Sequence, residues 1–289
     1  MSSWSLPEVV AWPCGDTGCA VTGLTLPLTP VSGHSVPAMD TIENTPGIDL
    51  TDQVALVTGA NRGLGRHFAD ELLSRGAAKA YVTARHPEPT GDPREVPLAL
   101  DVTQEQSVAA AAAAAPDVTL LINNAGVATL SPFLGEGLDG ARQEMEVNYW
   151  GSVHMVRAFA PILKNNGGGA ILNVLSQSAF RAFGFADTYG AAKAAAWQLT
   201  NGVRLELAGQ GTQVTALAMA LVDTDMSAWA KSEPGWSLAD PVQVVRSALD
   251  GLEAGAAEVY GDEMTRDWRS RLGEPIERLY PQAAVAAGA

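Results

Sequence analysis

The stretch Val54-Ala55-Leu56-Val57-Thr58-Gly59-Ala60-Asn61-Arg62-Gly63-Leu64-Gly65 decides the fold of this chain. Its first four residues are apolar, which is typical of a short buried strand. The glycines that follow indicate a tight turn, and Phe68, Leu72 and Leu73 then recur at helical spacing. Glycines let the main chain approach a pyrophosphate, and a helix start offers N–H groups and a positive dipole end. The stretch therefore predicts the strand, turn and helix that open a dinucleotide-binding fold.

Outward from this stretch, short apolar runs alternate with helical patterns. The predicted strands are Val54 to Thr58, Ala80 to Thr83, Val96 to Ala99, Thr119 to Asn123, Ala170 to Val174, Val214 to Met219 and Ala257 to Tyr260. The predicted helices lie near Leu64 to Arg75, Gln104 to Ala115, Gly140 to Leu163, Tyr189 to Leu207 and Val242 to Leu252. This alternation predicts the α/β class: a single doubly wound Rossmann-type domain, residues 51–289, with a seven-stranded parallel sheet flanked by helices.

Residues 1–50 differ in composition from this predicted domain. They mix Pro, Gly, Ser and Thr with scattered hydrophobic residues, so we expect a loosely packed N-terminal extension without its own core. Met39 could be the true initiator, and a full-length N-terminus found by mass spectrometry of protein from the native gene would exclude this. Cys14 and Cys19, the two cysteines of the chain, have no further ligand cluster beside them and predict no metal site.

The composition excludes several classes of protein. With 32 acidic and 18 basic residues, the net charge is −14, which disfavours nucleic acid and anionic membrane surfaces as partners. No apolar run is as long as the roughly 18 residues of a membrane span, and no basic residue precedes Arg62 to begin a secretory signal. With no cysteine in the predicted domain, a cytoplasmic location is the simplest inference.

A second group of residues points to proton transfer. Tyr189 and Lys193 stand four positions apart in an alanine-rich stretch, so their side chains share one face of the predicted helix. A free phenol has a pKa near ~10, and a neighbouring ammonium lowers the cost of forming its anion. Ser176, after the fifth predicted strand, would add a second hydrogen-bond donor to a reacting oxygen.

Together these motifs resemble the short-chain dehydrogenase/reductase family from about Leu50 to about Tyr260. Thr58 to Gly65 is similar to its TGxxxGxG cofactor turn, and Asn123-Asn124-Ala125-Gly126 is similar to its NNAG strand end. The resemblance implies an oxidoreductase that moves a hydride between nicotinamide and a carbonyl or secondary alcohol. It implies a catalytic tetrad of Asn148, Ser176, Tyr189 and Lys193. It implies cofactor contacts at Gly59, Asn61, Arg62, Gly63, Leu64, Gly65, Arg85, Asp101, Val102, Asn124, Ala125, Gly126, Tyr189, Lys193 and Thr224.

The resemblance also implies a role for each member of the tetrad. Tyr189 would give a proton in carbonyl reduction and take one in alcohol oxidation. Lys193 would lower the pKa of the phenol and hydrogen-bond the nicotinamide ribose, and Ser176 would hold the carbonyl oxygen. Asn148 would position a water that connects Lys193 to solvent. The sequence leaves the physiological direction of the reaction open.

The choice of cofactor depends on the end of the second predicted strand. Ala84 stands where NAD-preferring members of the family carry an acidic residue. Arg85 follows it, and Arg62 lies in the glycine turn, both at positions where NADP-preferring members carry basic residues. Because guanidinium groups form charge-assisted bonds to phosphate, the two arginines predict a preference for NADP(H), with NAD(H) still possible.

Two regions concern the substrate side. Met219-Ala220 stands where relatives usually carry Pro-Gly, which changes the expected path of the loop beside the nicotinamide. Large apolar residues that follow the fifth and sixth predicted strands favour a small-molecule apolar or aromatic carbonyl substrate, although such residues are as often core. They are Phe180, Phe183, Phe185, Met226, Trp229 and Trp236.

Other functions and assemblies stay open at this point. A non-catalytic NAD(P)-sensing protein on the same fold would be expected to have a broken tetrad, whereas all four residues are present here. A sugar-nucleotide epimerase or dehydratase shares the YxxxK pattern but usually needs a larger C-terminal domain than residues 261–289 provide. Helices 140–163 and 189–207 resemble those that pair between subunits in the family, so a homodimer or homotetramer is expected.

Overall fold

The computed structural model describes residues 47–88 and 91–281. The strands are β1 (Val54–Thr58), β2 (Lys79–Ala84), β3 (Glu95–Ala99), β4 (Leu120–Asn123), β5 (Ala170–Val174), β6 (Gln213–Ala218) and β7 (Glu258–Tyr260). The helices are α1 (Gly63–Ser74), α2 (Glu105–Ala114), α3 (Asp139–Met145), α4 (Gly151–Asn165), α5 (Asp187–Leu207), α6 (Pro241–Glu253), α7 (Glu263–Ser270) and α8 (Ile276–Leu279). The predictions for Met39, Cys14 and Cys19 fall outside the described residues.

All seven strands lie parallel in one sheet, in the order β3-β2-β1-β4-β5-β6-β7. The chain winds from β1 to one edge and then returns to continue from β4 to the other edge. Strands β4, β5 and β6 are buried at every position, which explains why they read as continuous apolar runs in the sequence. The predicted fold class is confirmed, and a crevice is expected between β1 and β4, where the strand order reverses.

Helices cover both faces of the sheet. On one face, Phe68 of α1 and Leu249 of α6 belong to the same buried cluster. On the other face, Val108 of α2, Phe159 of α4 and Val203 of α5 form a second cluster. Removing one such large apolar side chain from water contributes about 1.5–3 kcal/mol, so the two clusters fix the strand ends that carry the site.

The predicted helix 140–163 is not regular. Helices α3 and α4 are joined by a π-helical turn, Glu146–Trp150, which contains Asn148. Such turns interrupt α-helices mostly as single units and often lie at functional sites. The predicted helix 189–207 begins earlier, at Asp187. The Asp187 carboxylate ties the preceding segment to this helix start by accepting the main-chain N–H groups of Phe183 and Gly184 at 2.8 and 2.9 Å.

Both ends of the described chain pack on the domain. Leu50 is fully buried and Ile48 packs against the same cluster, so the packed region begins before the predicted boundary at residue 51. After β7, where a short tail was expected, α7 buries Trp268. The Asp262 carboxylate caps α7 by accepting the Thr265 N–H at 2.8 Å. None of the helices in residues 47–88 and 91–281 has the length and apolar character needed to cross a membrane.

Candidate active site

A cleft of about 1760 Å³ opens at the carboxyl ends of β1, β4, β5 and β6. Its volume exceeds the ~300–1000 Å³ typical of a pocket for one small ligand, so a dinucleotide and a second small molecule can share it. Of the residues predicted for the tetrad and the cofactor contacts, all except Gly65 and Asn148 line this cleft. No group of three or more possible metal-ligating side chains occurs in residues 47–88 and 91–281.

The glycine turn forms one end of the cleft. Gly59 and Gly63 have φ angles of +68° and +57°, a region in which a side chain is unfavourable. Gly65 lies behind the turn, where a Cβ atom would be 2.3 Å from the Gly59 carbonyl oxygen. No side chain of the described residues caps α1, so its first N–H groups are available to an anionic ligand.

The end of β4 is tied to this turn by Thr58. The Thr58 hydroxyl oxygen accepts the N–H groups of Asn124 and Ala125 at 2.9 and 2.8 Å. The Asn124 side chain donates in return to the Thr58 carbonyl oxygen at 2.8 Å. These bonds hold the NNAG segment beside the glycine turn, as the two motifs require if they contact one ligand.

The two arginines predicted to select the cofactor differ in their surroundings. Arg85 is exposed and makes no ion pair with the residues that the structure describes. Arg62 forms an ion pair with Asp225 at 3.2 Å, with both side chains more than two-thirds exposed. Asn61 donates to the His86 carbonyl oxygen at 2.8 Å, which connects the glycine turn to the segment that carries Arg85.

Asp101 and Val102 lie on the same side of the cleft as Arg85, after β3. The Asp101 carboxylate accepts the N–H and the hydroxyl of Thr103 at 3.0 and 2.7 Å. Across the cleft, Thr224 faces the glycine turn: a Cβ on Gly63 would lie 3.7 Å from its methyl group. The loop after β6 therefore borders the same space as the turn after β1.

The opposite end of the cleft brings together three members of the predicted tetrad. Ser176 follows β5, and its hydroxyl accepts the Ser178 N–H at 3.1 Å. Tyr189 and Lys193 lie in the first two turns of α5, with the Lys193 ammonium 5.7 Å from the centre of the Tyr189 ring. Lys193 is buried and donates to the Val174 carbonyl oxygen at 2.9 Å.

The environment shifts the proton affinities of both groups. Burial raises the pKa of Tyr189 to about 12, a hydrogen bond with Ser176 acts in the opposite direction, and the negative charge of Glu144 adds to the rise. Burial lowers the pKa of Lys193 to about 8. The ammonium of Lys193 donates to the Val174 carbonyl oxygen, and the lowering of the phenol pKa by Lys193 that the resemblance implied stays a prediction.

Asn148 does not line the cleft. Its side chain is fully used by the main chain, because Nδ2 donates to the carbonyl oxygens of Val127 and Glu144 at 2.9 Å each and Oδ1 accepts the Val127 N–H at 3.2 Å. The residue thus fixes the chain where it leaves β4. The atom of Asn148 that is left to bind the predicted water is its main-chain carbonyl oxygen. This oxygen accepts the Ser152 hydroxyl at 3.1 Å.

Aromatic rings form the wall of the cleft beyond Tyr189. Four of them contact each other with ring centres 5.8–6.2 Å apart: Phe183, Phe185, Trp229 and Trp236. Met226 also lines the cleft and is half-exposed. Phe180, also expected at the substrate side, instead packs against Trp197 with ring centres 5.4 Å apart and belongs to a core cluster.

The sequence did not point to several residues near this site. His86, Val127 and Leu130 line the cleft, and Glu144 is fully buried behind it. The signal for Glu144 was its position four residues before Asn148 on the predicted helix, which places both on one face. The main-chain conformation that brings Leu130 to the cleft has no sequence signal.

Residues 53–234 match the family model of the short chain dehydrogenases. The chain belongs to the short-chain dehydrogenase/reductase family. Galactitol 2-dehydrogenase (L-tagatose-forming) from Cereibacter sphaeroides is 31% identical over 234 residues, covering 73% of this chain and 92% of that enzyme. D-erythrulose reductase from Gallus gallus is 32% identical over 199 residues, covering 67% of this chain and 81% of that enzyme.

Solved structures of short-chain dehydrogenases show the same architecture. One from Burkholderia cenocepacia, in complex with NADP, has a TM-score of 0.76 and 39% identity, covering 82% of this chain and 100% of that chain. The resemblance drawn from the sequence is therefore confirmed. The family match ends at residue 234, so α6, β7, α7 and α8 lie beyond the part that defines this short-chain dehydrogenase/reductase.

Proposed function

We propose that this protein is an NADP(H)-dependent oxidoreductase that transfers a hydride between nicotinamide and a carbonyl or secondary alcohol. The main support is that one cleft carries the glycine turn at one end and Ser176, Tyr189 and Lys193 at the other. A dehydrogenase and a reductase among the relatives agree with the two directions of this reaction.

The residues present fit a nicotinamide dinucleotide. The glycine turn and the uncapped start of α1 would hold the pyrophosphate. Asp101 and Val102 would border the adenine, and Lys193 and Thr224 would border the nicotinamide. The cofactor supplies or accepts the hydride when it is bound. Two observations support NADP(H) over NAD(H): the Arg85 guanidinium makes no ion pair within the described residues, and a relative with 39% identity has been solved in complex with NADP.

Tyr189 suits the role of proton donor to a carbonyl oxygen. With a pKa of about 12, its hydroxyl stays protonated at neutral pH, and Ser176 offers a second donor to the same oxygen. In alcohol oxidation the same group would take the proton instead.

The aromatic wall supports an apolar or aromatic carbonyl substrate. Phe183, Phe185, Trp229 and Trp236 present mostly carbon surface to the cleft, and such surface binds apolar groups without directional bonds. We further propose that Asn148 acts through its main-chain carbonyl if it carries a water in the proton path.

The test begins with fluorescence titration of the full chain with NADPH and NADH, followed by reduction of acetophenone and related ketones. Tyr189→Phe should lower kcat by about 100-fold or more and leave NADPH affinity unchanged. Tyr149→Phe, a tyrosine that does not line the cleft, is the matched control. Activity of Tyr189→Phe near the wild-type level would refute the proton-donor role, and failure to bind either cofactor would refute the function.

A further inference from the structure

The loop after β4 contains a strained residue at the substrate side of the cleft. Leu130 has a φ angle of +56°, in the left-handed region that a residue with a Cβ atom adopts only at a cost. It lines the cleft. Such conformations persist where the surrounding structure holds them, and they concentrate at functional sites.

Hydrogen bonds hold the residue on each side of Leu130. Before it, the Thr129 N–H and hydroxyl both donate to Oε1 of Glu144, at 2.6 and 2.8 Å. After it, the Ser131 carbonyl oxygen accepts the Thr188 N–H at 3.3 Å and lies 2.9 Å from the Thr188 hydroxyl. The loop is therefore fixed to α3 on one side of Leu130 and to α5 on the other.

Glu144 joins these two attachments. Its side chain is fully buried, and its second oxygen, Oε2, lies 2.6 Å from the Thr188 hydroxyl. All of its hydrogen-bond partners among the described residues are neutral, so its burial is tolerated only because each oxygen is hydrogen-bonded. Helix α3 also approaches the loop closely: a Cβ on Gly140 would lie 2.6 Å from the Thr129 hydroxyl.

Thr188 immediately precedes Tyr189, so the Glu144 carboxylate fixes Leu130 relative to the proposed proton donor. We propose that Glu144 is a positioning residue that holds Leu130 in the left-handed conformation, and that the Leu130 side chain limits the size of the carbonyl substituent. The part of this inference that concerns substrate size rests on the proposed function, whereas the positioning part does not.

The positioning part is tested by thermal unfolding without cofactor or substrate. Leu130→Gly and Leu130→Ala both remove the side chain, but only glycine removes the strain. With Glu144 present, the glycine variant should melt about 1–3 °C above the alanine variant. In a Glu144→Leu background the loop is free to relax, and the order should reverse, because glycine then only adds disorder to the unfolded chain.

Two further variants keep this test decisive. Glu144→Gln keeps the size and one acceptor oxygen for Thr129, and its Nε2 can donate to the Thr188 hydroxyl, which then donates to the Ser131 carbonyl oxygen. This variant should therefore behave like the parent. Thr188→Val removes the hydroxyl that lies between Glu144 and the Ser131 carbonyl oxygen and leaves only the main-chain N–H bond to Ser131. It should therefore reduce the advantage of glycine over alanine, and it replaces Glu144→Leu if that variant does not fold. The inference would be overturned if the difference in melting temperature between Leu130→Gly and Leu130→Ala were the same in every background. Leu130 would then keep its conformation without Glu144.

The substrate part is tested by the ratio of kcat/KM for 2-acetylnaphthalene to that for acetophenone. Leu130→Ala should raise this ratio by about 5–10-fold. Leu134→Ala, at a fully exposed leucine of the same loop, should not change it. Glu144→Leu should raise KM for both ketones with NADPH affinity unchanged, and Glu144→Gln should restore it. An unchanged ratio in Leu130→Ala would overturn the size limit, whereas no turnover by any variant would count against the proposed function itself.

Discussion

Burial of Lys193 destabilises the folded protein, and the proposed role of this residue explains why it is buried. Only 4% of its surface is exposed, and burial lowers its pKa from 10.5 to about 8. The unfolded chain therefore binds this proton more tightly than the folded protein does. The penalty is fully present below pH 8 and disappears as the pH rises towards 10.5. A shift of this size corresponds to about 3 kcal/mol.

We expect Lys193→Met to increase the free energy of unfolding at pH 7 by up to about 3 kcal/mol while it removes ketone reduction. Urea unfolding at pH 7 and pH 10 measures this, and the gain should shrink at the higher pH. A Lys193→Met protein that is less stable than wild type at pH 7 would contradict the assignment of the cost to burial of the charge.

Arg85 and Arg62 offer different amounts of charge to a 2′-phosphate. Arg85 is unpaired within the described part of the chain, whereas Arg62 is already paired with Asp225. We expect Arg85→Asp to weaken NADPH binding at least about 10-fold without weakening NADH binding, and Arg62→Gln to have a smaller effect.

Fluorescence titration of each variant with both cofactors measures this selectivity. Arg142→Asp makes the same change in net charge as Arg85→Asp at an exposed residue outside the cleft, and it should leave the ratio of NADPH to NADH affinity unchanged. If Arg85→Asp also leaves that ratio unchanged, Arg85 does not select the cofactor.

Helix α7 is connected to the loop beside the proposed nicotinamide position. Asp262, which caps α7, also accepts the Ala220 N–H at 2.7 Å. The Gln177 N–H donates to the Met219 carbonyl oxygen at 2.8 Å from the other side. In this chain, hydrogen bonds therefore hold the loop where relatives usually have the stiffness of Pro-Gly.

Asp262→Ala should lower the free energy of unfolding by about 1–2 kcal/mol through loss of the cap and should also weaken NADPH binding. Asp240→Ala provides the comparison, because Asp240 caps α6 through the Val242 N–H at 2.9 Å and does not line the cleft. Asp262→Ala should lower the melting temperature at least as much as Asp240→Ala does, because it also loses the bond to the Ala220 N–H, and only Asp262→Ala should change the dissociation constant for NADPH. Equal affinities in the two variants would show that Asp262 acts only as a cap.

Buried strands and the glycine turn can be predicted from the sequence, whereas irregular turns cannot. Every predicted strand agrees with the structure to within one residue at each end, because buried parallel strands are continuous apolar runs with polar breaks. The glycine turn is also predictable, because Gly59 and Gly63 need φ angles that other residues avoid. The π-helical turn around Asn148 and the left-handed conformation of Leu130 could not be predicted, because neither changes the spacing of apolar residues. They depend on contacts between segments that are distant in sequence.

Assembly of the protein is expected to cover apolar surface on α4 and α5. Leu205 on α5 and Trp150, just before α4, are 80% and 44% exposed, and exposed apolar groups of this size mark interaction surfaces when they cluster. Light scattering should show the predicted homodimer or homotetramer, and Leu205→Glu should reduce the mass. Ile276→Glu, at a residue of α8 that is 60% exposed, should leave it unchanged. A monomeric wild-type protein would contradict this prediction.

The π-helical turn sets the rotational phase between α3 and α4. Each residue of an α-helix rotates the chain by about 100°, so loss of one residue from Glu146–Trp150 would turn α3 by that angle while α4 kept its packing on the sheet. Glu144 would then face away from Thr129. A single codon deletion would thus disconnect the loop from the proposed proton donor, Tyr189. Homologues that differ by one residue at this turn are therefore expected to accept different substrates.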